Sequence, residues 1–93
     1  MAPRSEPQPA LGQAIRRLRK ERELSQEELG HRAEIHPTWI SHIESGRANP
    51  AWGTVRRIAR VFEVRLSEVV LLAESIADDD KAKDDEPQPQ GPS

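Results

Sequence analysis

Three histidines, His31, His36 and His42, are the side chains that invite a reading as metal ligands or as hydrogen-bonding groups at a surface. They have little to work with as a catalytic or metal-binding set. The chain has no cysteine, which removes both a thiolate nucleophile and a thiolate ligand. No carboxylate completes a set with the histidines at ligand spacing, so neither a metal nor another cofactor is expected. Every aspartate lies at or beyond Asp78, and no serine stands in a nucleophile motif. An enzyme is therefore not expected. What is left is chemistry of charge and hydrogen bonding at a surface. Residues 11–66 hold 11 Arg and Lys against 7 Glu, a net +4, whereas residues 67–93 hold 2 Lys against 8 acids, a net -6. A basic body thus precedes an acidic tail, and the net -2 of the whole chain conceals both.

These groups need elements to hold them. Residues 1–10 carry three prolines and, beyond Met1, nothing apolar larger than Ala. Residues 77–93 carry three more prolines and no apolar side chain but Ala. Neither can bury enough surface to offset its ordering entropy, so both are expected to be disordered, as an N-terminal arm and an acidic tail. The folded domain should span 11–76. Within it Leu11, Ile15 and Leu18 make one helical stripe. Ser25 and Glu28 form a capping box at the start of a second helix, with Leu24 and Leu29 as its hydrophobic staple, and that helix ends near Ala33. His36-Pro37 opens a third, burying Ile40 and Ile43 and ending at Gly46. Asn49-Pro50, or Ala51, begins a fourth that buries Trp52, Val55, Ile58, Ala59 and Phe62. Val64 and Leu66 anchor the next turn, and Ser67 caps a fifth helix reaching Ile76. The β-branched residues fall at helical rather than alternating spacing. The fold class is all-α, with five short helices.

Two short helices joined by a tight turn make a helix-turn-helix unit, and the packing rules can be checked by position. Counting from Gln26, the fourth, eighth and tenth places must be apolar, and they hold Leu29, Ala33 and Ile35. The fifth must be small where the helices cross, and it holds Gly30. The fifteenth and eighteenth must face the core, and they hold Ile40 and Ile43. The ninth place tends to positive φ and carries Glu34 where Gly is usual, a departure costing about 1 kcal/mol. With Ile40 and Ile43 inward, His36, Thr38, Ser41 and His42 face outward in a row free of acid, suited to approaching phosphates.

The segments Leu24-Ser25-Gln26-Glu27-Glu28-Leu29, Trp39-Ile40-Ser41-x-Ile43-Glu44-x-Gly46-Arg47, Asn49-Pro50 and Arg57-Ile58-Ala59 resemble the lambda-repressor-like (Cro/Xre) DNA-binding family. The likeness runs from about Leu11 to Ala73. It implies a compact five-helix lambda-repressor-like domain whose third helix enters the major groove of double-stranded DNA, usually as a homodimer on an inverted repeat. It makes Thr38, Ser41 and His42 the base-edge candidates, while His36 either joins them or caps the third helix. Pro37 stands where relatives often carry a hydrogen-bonding side chain. Gln26, at a helix start where free N–H groups and the dipole favour an anion, is a phosphate candidate, as are Arg47 and Asn49 in the loop after helix three. Trp39 either sets an aromatic edge near a phosphate or only packs. The resemblance pairs Arg19 with Glu44 as a buried ion pair between helices one and three.

Helix five carries more apolar surface than one stripe needs. Val70, Leu71, Leu72 and Ile76 therefore form a candidate dimer interface, with deep burial as the alternative. The acidic tail either solubilises the chain or folds over the basic face and weakens binding. The expected function is a sequence-specific transcriptional regulator, cytoplasmic and nucleoid-associated, with no secretory signal, no membrane segment and no room for a ligand-sensing domain. Controller protein, phage-type repressor and antitoxin remain open as subtypes. The rival class is an adaptor that uses the same domain to dock a protein of the transcription machinery. The outward polar row argues against that rival, because a protein-docking face would be more apolar.

Overall fold

A computed structural model describes residues 8–85, and five helices with no strand make up its regular structure. They are α1 (Pro9–Glu21), α2 (Gln26–Ala33), α3 (Pro37–Glu44), α4 (Trp52–Phe62) and α5 (Leu66–Asp85). The ends of the expected N-terminal arm and acidic tail, residues 1–7 and 86–93, lie outside the described residues.

Local chemistry accounts for most of the boundaries. Pro9 takes the first turn of α1, where its missing N–H is no loss, so the helix begins two residues ahead of Leu11. At α2 the Ser25 hydroxyl accepts from the Glu28 N–H at 2.9 Å while the Ser25 N–H donates to Glu28 Oε1 at 2.8 Å. Both halves of the capping box are formed. The helix closes on Glu34, which is left-handed at φ 61° and ψ 46°. Gly30 is where α2 meets the following turn, and a Cβ added there would collide with the Ile35 carbonyl.

Three expectations are corrected. Trp52 is not a core residue: it opens α4 and is 60% exposed. Helical side chains lean toward their own N-terminus, so the indole of the first residue projects beyond the packed part of the helix. Ser67 does not cap α5, which starts at Leu66. Glu68 instead reaches back to accept from the Arg65 N–H at 2.9 Å, leaving Ser67 inside the first turn. And α5 does not end near Ile76 but continues to Asp85, carrying Asp78, Asp79 and Asp80 on an ordered helix.

The core takes its fully buried side chains from every helix: Ile15, Leu29, Ile40, Ile43, Ile58, Phe62 and Val69. Side chains of this size contribute about 1.5–3 kcal/mol each on burial. α1 lies along α5, α3 packs on both α1 and α2, and α4 closes against α2. Helix α3 is thereby held from two sides.

Candidate nucleic-acid interface

α3 divides into two faces. Ile40 and Ile43 are buried, and so is Glu44, the only acid in the helix. Outward stand His36, Thr38 and Trp39, all exposed, with Ser41 and His42 half-buried beside them. His36 is the N-cap, its Nδ1 accepting from the Thr38 N–H at 3.1 Å. In this structure it caps the helix. The Trp39 and His42 rings meet edge to face, centroids 6.3 Å apart and inclined by 66°. That contact restrains the imidazole on the exposed side of the helix.

Glu44 would weaken an anion-facing surface were it free, but it is engaged on the inner side. Arg19 Nε donates to its Oε2 at 2.6 Å, and the Arg19 terminal nitrogen donates to its Oε1 at 2.9 Å. The remaining Arg19 terminal nitrogen donates to the Leu24 carbonyl at 2.7 Å, so the guanidinium also ties down the loop before α2. Gln26 completes the group, its amide donating to Glu44 Oε1 at 3.0 Å. One amide hydrogen of Gln26 is spent on this bond and the other is not. The network joins α1, the start of α2 and the end of α3. Among the described residues no buried side-chain nitrogen or oxygen lacks a partner.

The loop after α3 is organised by bonds that run back to the helix. The backbone N–H groups of Arg47 and Ala48 both donate to the His42 carbonyl, at 3.0 and 3.2 Å. Ser45 Oγ donates to the same carbonyl at 3.1 Å and accepts from Arg47 Nε at 3.0 Å. Gly46 holds the turn at φ 81°, packed so closely on Pro9 that a Cβ would come within 3.0 Å of its Cα. Arg47 and Asn49 are both exposed next to this turn. Charge-bearing and hydrogen-bonding groups therefore line the outer side of α3 and of the loop that follows.

This arrangement of five helices has relatives. Residues 10–72 match the family model described as a helix-turn-helix domain. The chain belongs to that helix-turn-helix family, in its Cro/Xre-like form. It is 33% identical over 60 residues to the immunity repressor protein of Bacillus phage phi105, covering 64% of this chain and 42% of the repressor. The chain thus matches less than half the length of that curated relative. The crystal structure of the clp gene regulator ClgR from Corynebacterium glutamicum superposes with a TM-score of 0.76 at 23% identity, covering 83% of each chain. The biofilm master regulator SinR, solved in complex with DNA, gives 0.62 at 28% identity, over 64% of this chain and 97% of that one.

Within the helix-turn-helix frame, His36, Thr38, Ser41 and His42 share one side of α3 with Trp39, and Arg47 and Asn49 adjoin it. The candidate dimer patch is changed. Ile76 is 6% exposed, turned with Val69 into the core, so it has no surface to offer a partner. Val70 and Leu72 are half-buried and Leu71 is 63% exposed. Two contributors escaped the sequence reading. Ser45 links Arg47 to the end of α3, and a hydroxyl beside a helix-ending Gly was the one available signal. Gly12 lets α1 lie against the end of α3: a Cβ there would collide with the Ile43 carbonyl and sit 2.8 Å from that of Glu44. No local pattern marks it.

Proposed function

We propose that this chain is a sequence-specific DNA-binding transcriptional regulator, not an enzyme, that sets α3 in the major groove and occupies an inverted-repeat operator as a homodimer. The observation that carries this is the outer face of α3. It offers imidazole, hydroxyl and indole groups and no carboxylate, because the helix's one acid is turned inward onto Arg19. A surface approaching two phosphate strands at close range needs that absence as much as it needs donors. Thr38, Ser41 and His42 are assigned to base edges, with His36 beside them at the helix start. Gln26, Trp39, Arg47 and Asn49 are assigned to the phosphate backbone, where they set register and affinity rather than sequence choice. The likeness to an immunity repressor and to a regulator solved on DNA supports the same reading. Val70, Leu71 and Leu72 form the patch assigned to the second copy, and a cytoplasmic, nucleoid-bound protein is the setting this implies.

The test is selection of bound duplexes from a random-sequence pool by the purified chain at about 150 mM salt. Specific binding of this class is at least ~10³-fold tighter than non-specific binding. Enrichment of an inverted repeat with half-site centres roughly one helical turn apart is the expected result. Weak, salt-sensitive binding without enrichment would overturn it in favour of a protein-docking adaptor.

A further inference from the structure

On the side formed by the end of α2 and the outer face of α4, three arginines surround a surface pocket. Arg32, Arg57 and Arg60 line it with Ala33, Glu34 and Val61. A second pocket adjoins it across Arg32 and Val61, toward Arg22. Arg22 is occupied: it donates to the carbonyls of Phe62 and Leu18, both at 3.0 Å, and its guanidinium lies 5.3 Å from the Phe62 ring centroid. The other three are exposed, and among the described residues no carboxylate lies within 4 Å of their guanidinium nitrogens. Glu34 is the single acid in the pocket wall, so the three arginines leave it net positive. None of these arginines lies on α3 or the loop after it. The DNA-facing row does not account for this basic pocket.

The chain supplies a matching group at its other end. Asp78, Asp79 and Asp80 are consecutive, exposed, and held on α5, inside the segment whose net charge is -6. They cannot reach the pocket of their own chain. α1 and α5 run antiparallel, since Gln8 and Leu11 flank Val70, Glu74 and Ala77 while Arg22 at the far end of α1 bonds to Phe62. The arginine pocket thus belongs to the end of the molecule where α4 finishes and α5 starts. At 1.5 Å per residue, Asp80 lies about 21 Å along α5 from Leu66, past the residues that flank the start of α1. Basic pocket and acidic segment thus lie toward opposite ends of α5.

We propose that the Arg32–Arg57–Arg60 pocket docks the acidic Asp78–Asp80 end of α5 from a second copy of this chain. Arginine is suited to this because its planar fork takes a carboxylate through two parallel hydrogen bonds. The contact is head-to-tail, so it does not close on itself: each copy keeps a free pocket at one pole and a free acidic helix at the other. It is separate from any two-fold dimer patch on α5 and adds copies beyond it.

The test uses the full chain without DNA, so that its failure leaves the DNA-binding reading standing. Sedimentation is followed at 50 and 500 mM salt, where screening lengths differ about threefold. At 50 mM the chain should form species larger than a dimer, and these should fall back at 500 mM. The double variant Arg57→Glu/Arg60→Glu should lose them, and so should Asp79→Lys/Asp80→Lys. All four positions are exposed, so both variants should keep wild-type melting curves. Mixing the two variants should restore the larger species, because the reversed charges again face opposites. Wild-type protein that stays dimeric or smaller at 50 mM would overturn the proposal. So would assembly that survives in Arg57→Glu/Arg60→Glu, or a mixture that fails to recover it.

Discussion

Arg19 and Glu44, twenty-five residues apart, meet as a forked ion pair between α1 and α3 with both side chains buried. The pair sets how far α3 stands out from the body, because Glu44 is its last residue and Arg19 also grips the Leu24 carbonyl. Removing one partner strands a charge out of water. Arg19→Ala or Glu44→Ala should each lose about 3–5 kcal/mol in urea denaturation. Replacing both with Met and Leu should cost less than either single change, since no unpaired charge remains. Equal losses in all three variants would show that packing, not charge, is what the pair contributes.

Glu34 carries a left-handed backbone at φ 61° with an ordinary side chain. That conformation costs about 1–2 kcal/mol outside glycine. Part of this returns as entropy when glycine is introduced, because glycine loses more freedom on folding. Glu34→Gly should therefore gain about 0.5–1 kcal/mol, read as a melting temperature a few degrees higher. A lower melting temperature would mean that the Glu34 carboxylate makes a compensating contact.

Much of this fold is legible because its signals are local. Ser25 and Glu28 are three residues apart, and their reciprocal bonds are implied by the residue types alone. The same holds for Gly30, and for Ile40 and Ile43, whose spacing fixes the outer row of α3. The misreadings have a common cause in what periodicity leaves out. Trp52 sits three residues before Val55, on the right stripe, yet spacing cannot tell that the first turn of α4 overhangs the core. Ile76 looked like surplus surface because nothing local shows that it turns inward with Val69. The acidic stretch after Ile76 has no apolar stripe, so a burial argument stops there. A helix already nucleated can nonetheless add residues at little cost, and α5 continues to Asp85.

His42 and Arg47 separate the two kinds of contact assigned to the interface. His42 shares the outer side of α3 with the base-edge candidates, while Arg47 lies in the loop, held through Ser45. His42→Ala should relax preference at one base pair per half-site, worth about 1–3 kcal/mol of discrimination. Arg47→Ala should instead weaken binding almost equally for all sequences and lower the salt slope by about one. Affinity measured on the selected site and its single-base variants, at several salt concentrations, distinguishes them. A sequence-dependent loss in Arg47→Ala would reverse the assignment.

Glu28 is held below the ordinary glutamate value by its hydrogen bonds to Ser25, the one from the backbone N–H first. A carboxylate lowered in the folded state adds stability above its unfolded pKa, and that contribution is lost as pH falls through the folded one. Wild-type protein should thus be more stable than Glu28→Gln at pH 7. The difference should shrink once pH drops below about 4.5, the ordinary value, and vanish in stronger acid. Thermal melts of both proteins from pH 7 to pH 2.5 check this. A constant difference across that range would show that the charge on Glu28 does not strengthen the capping box.

Gly12 tests whether the seat of α3 matters to binding as well as to stability. An added methyl group would strike the Ile43 carbonyl and lie 2.8 Å from that of Glu44, both backbone atoms that no side-chain rotation can move aside. In an exposed helix Gly→Ala is favourable by about 1 kcal/mol. Here the collision should outweigh that gain, and overpacking of this kind costs about 1–3 kcal/mol. Relief requires α1 to shift away from the end of α3, which stretches the Arg19–Glu44 pair and re-aims His42 and the Ser45–Arg47 turn. Gly12→Ala should therefore lose stability in urea and also lose operator affinity under conditions where it remains folded. Gly53 is the control, because a Cβ there meets nothing within 4 Å, and Gly53→Ala should be neutral or mildly stabilising. If Gly12→Ala behaves like Gly53→Ala, the close approach of α1 to α3 is not what positions α3.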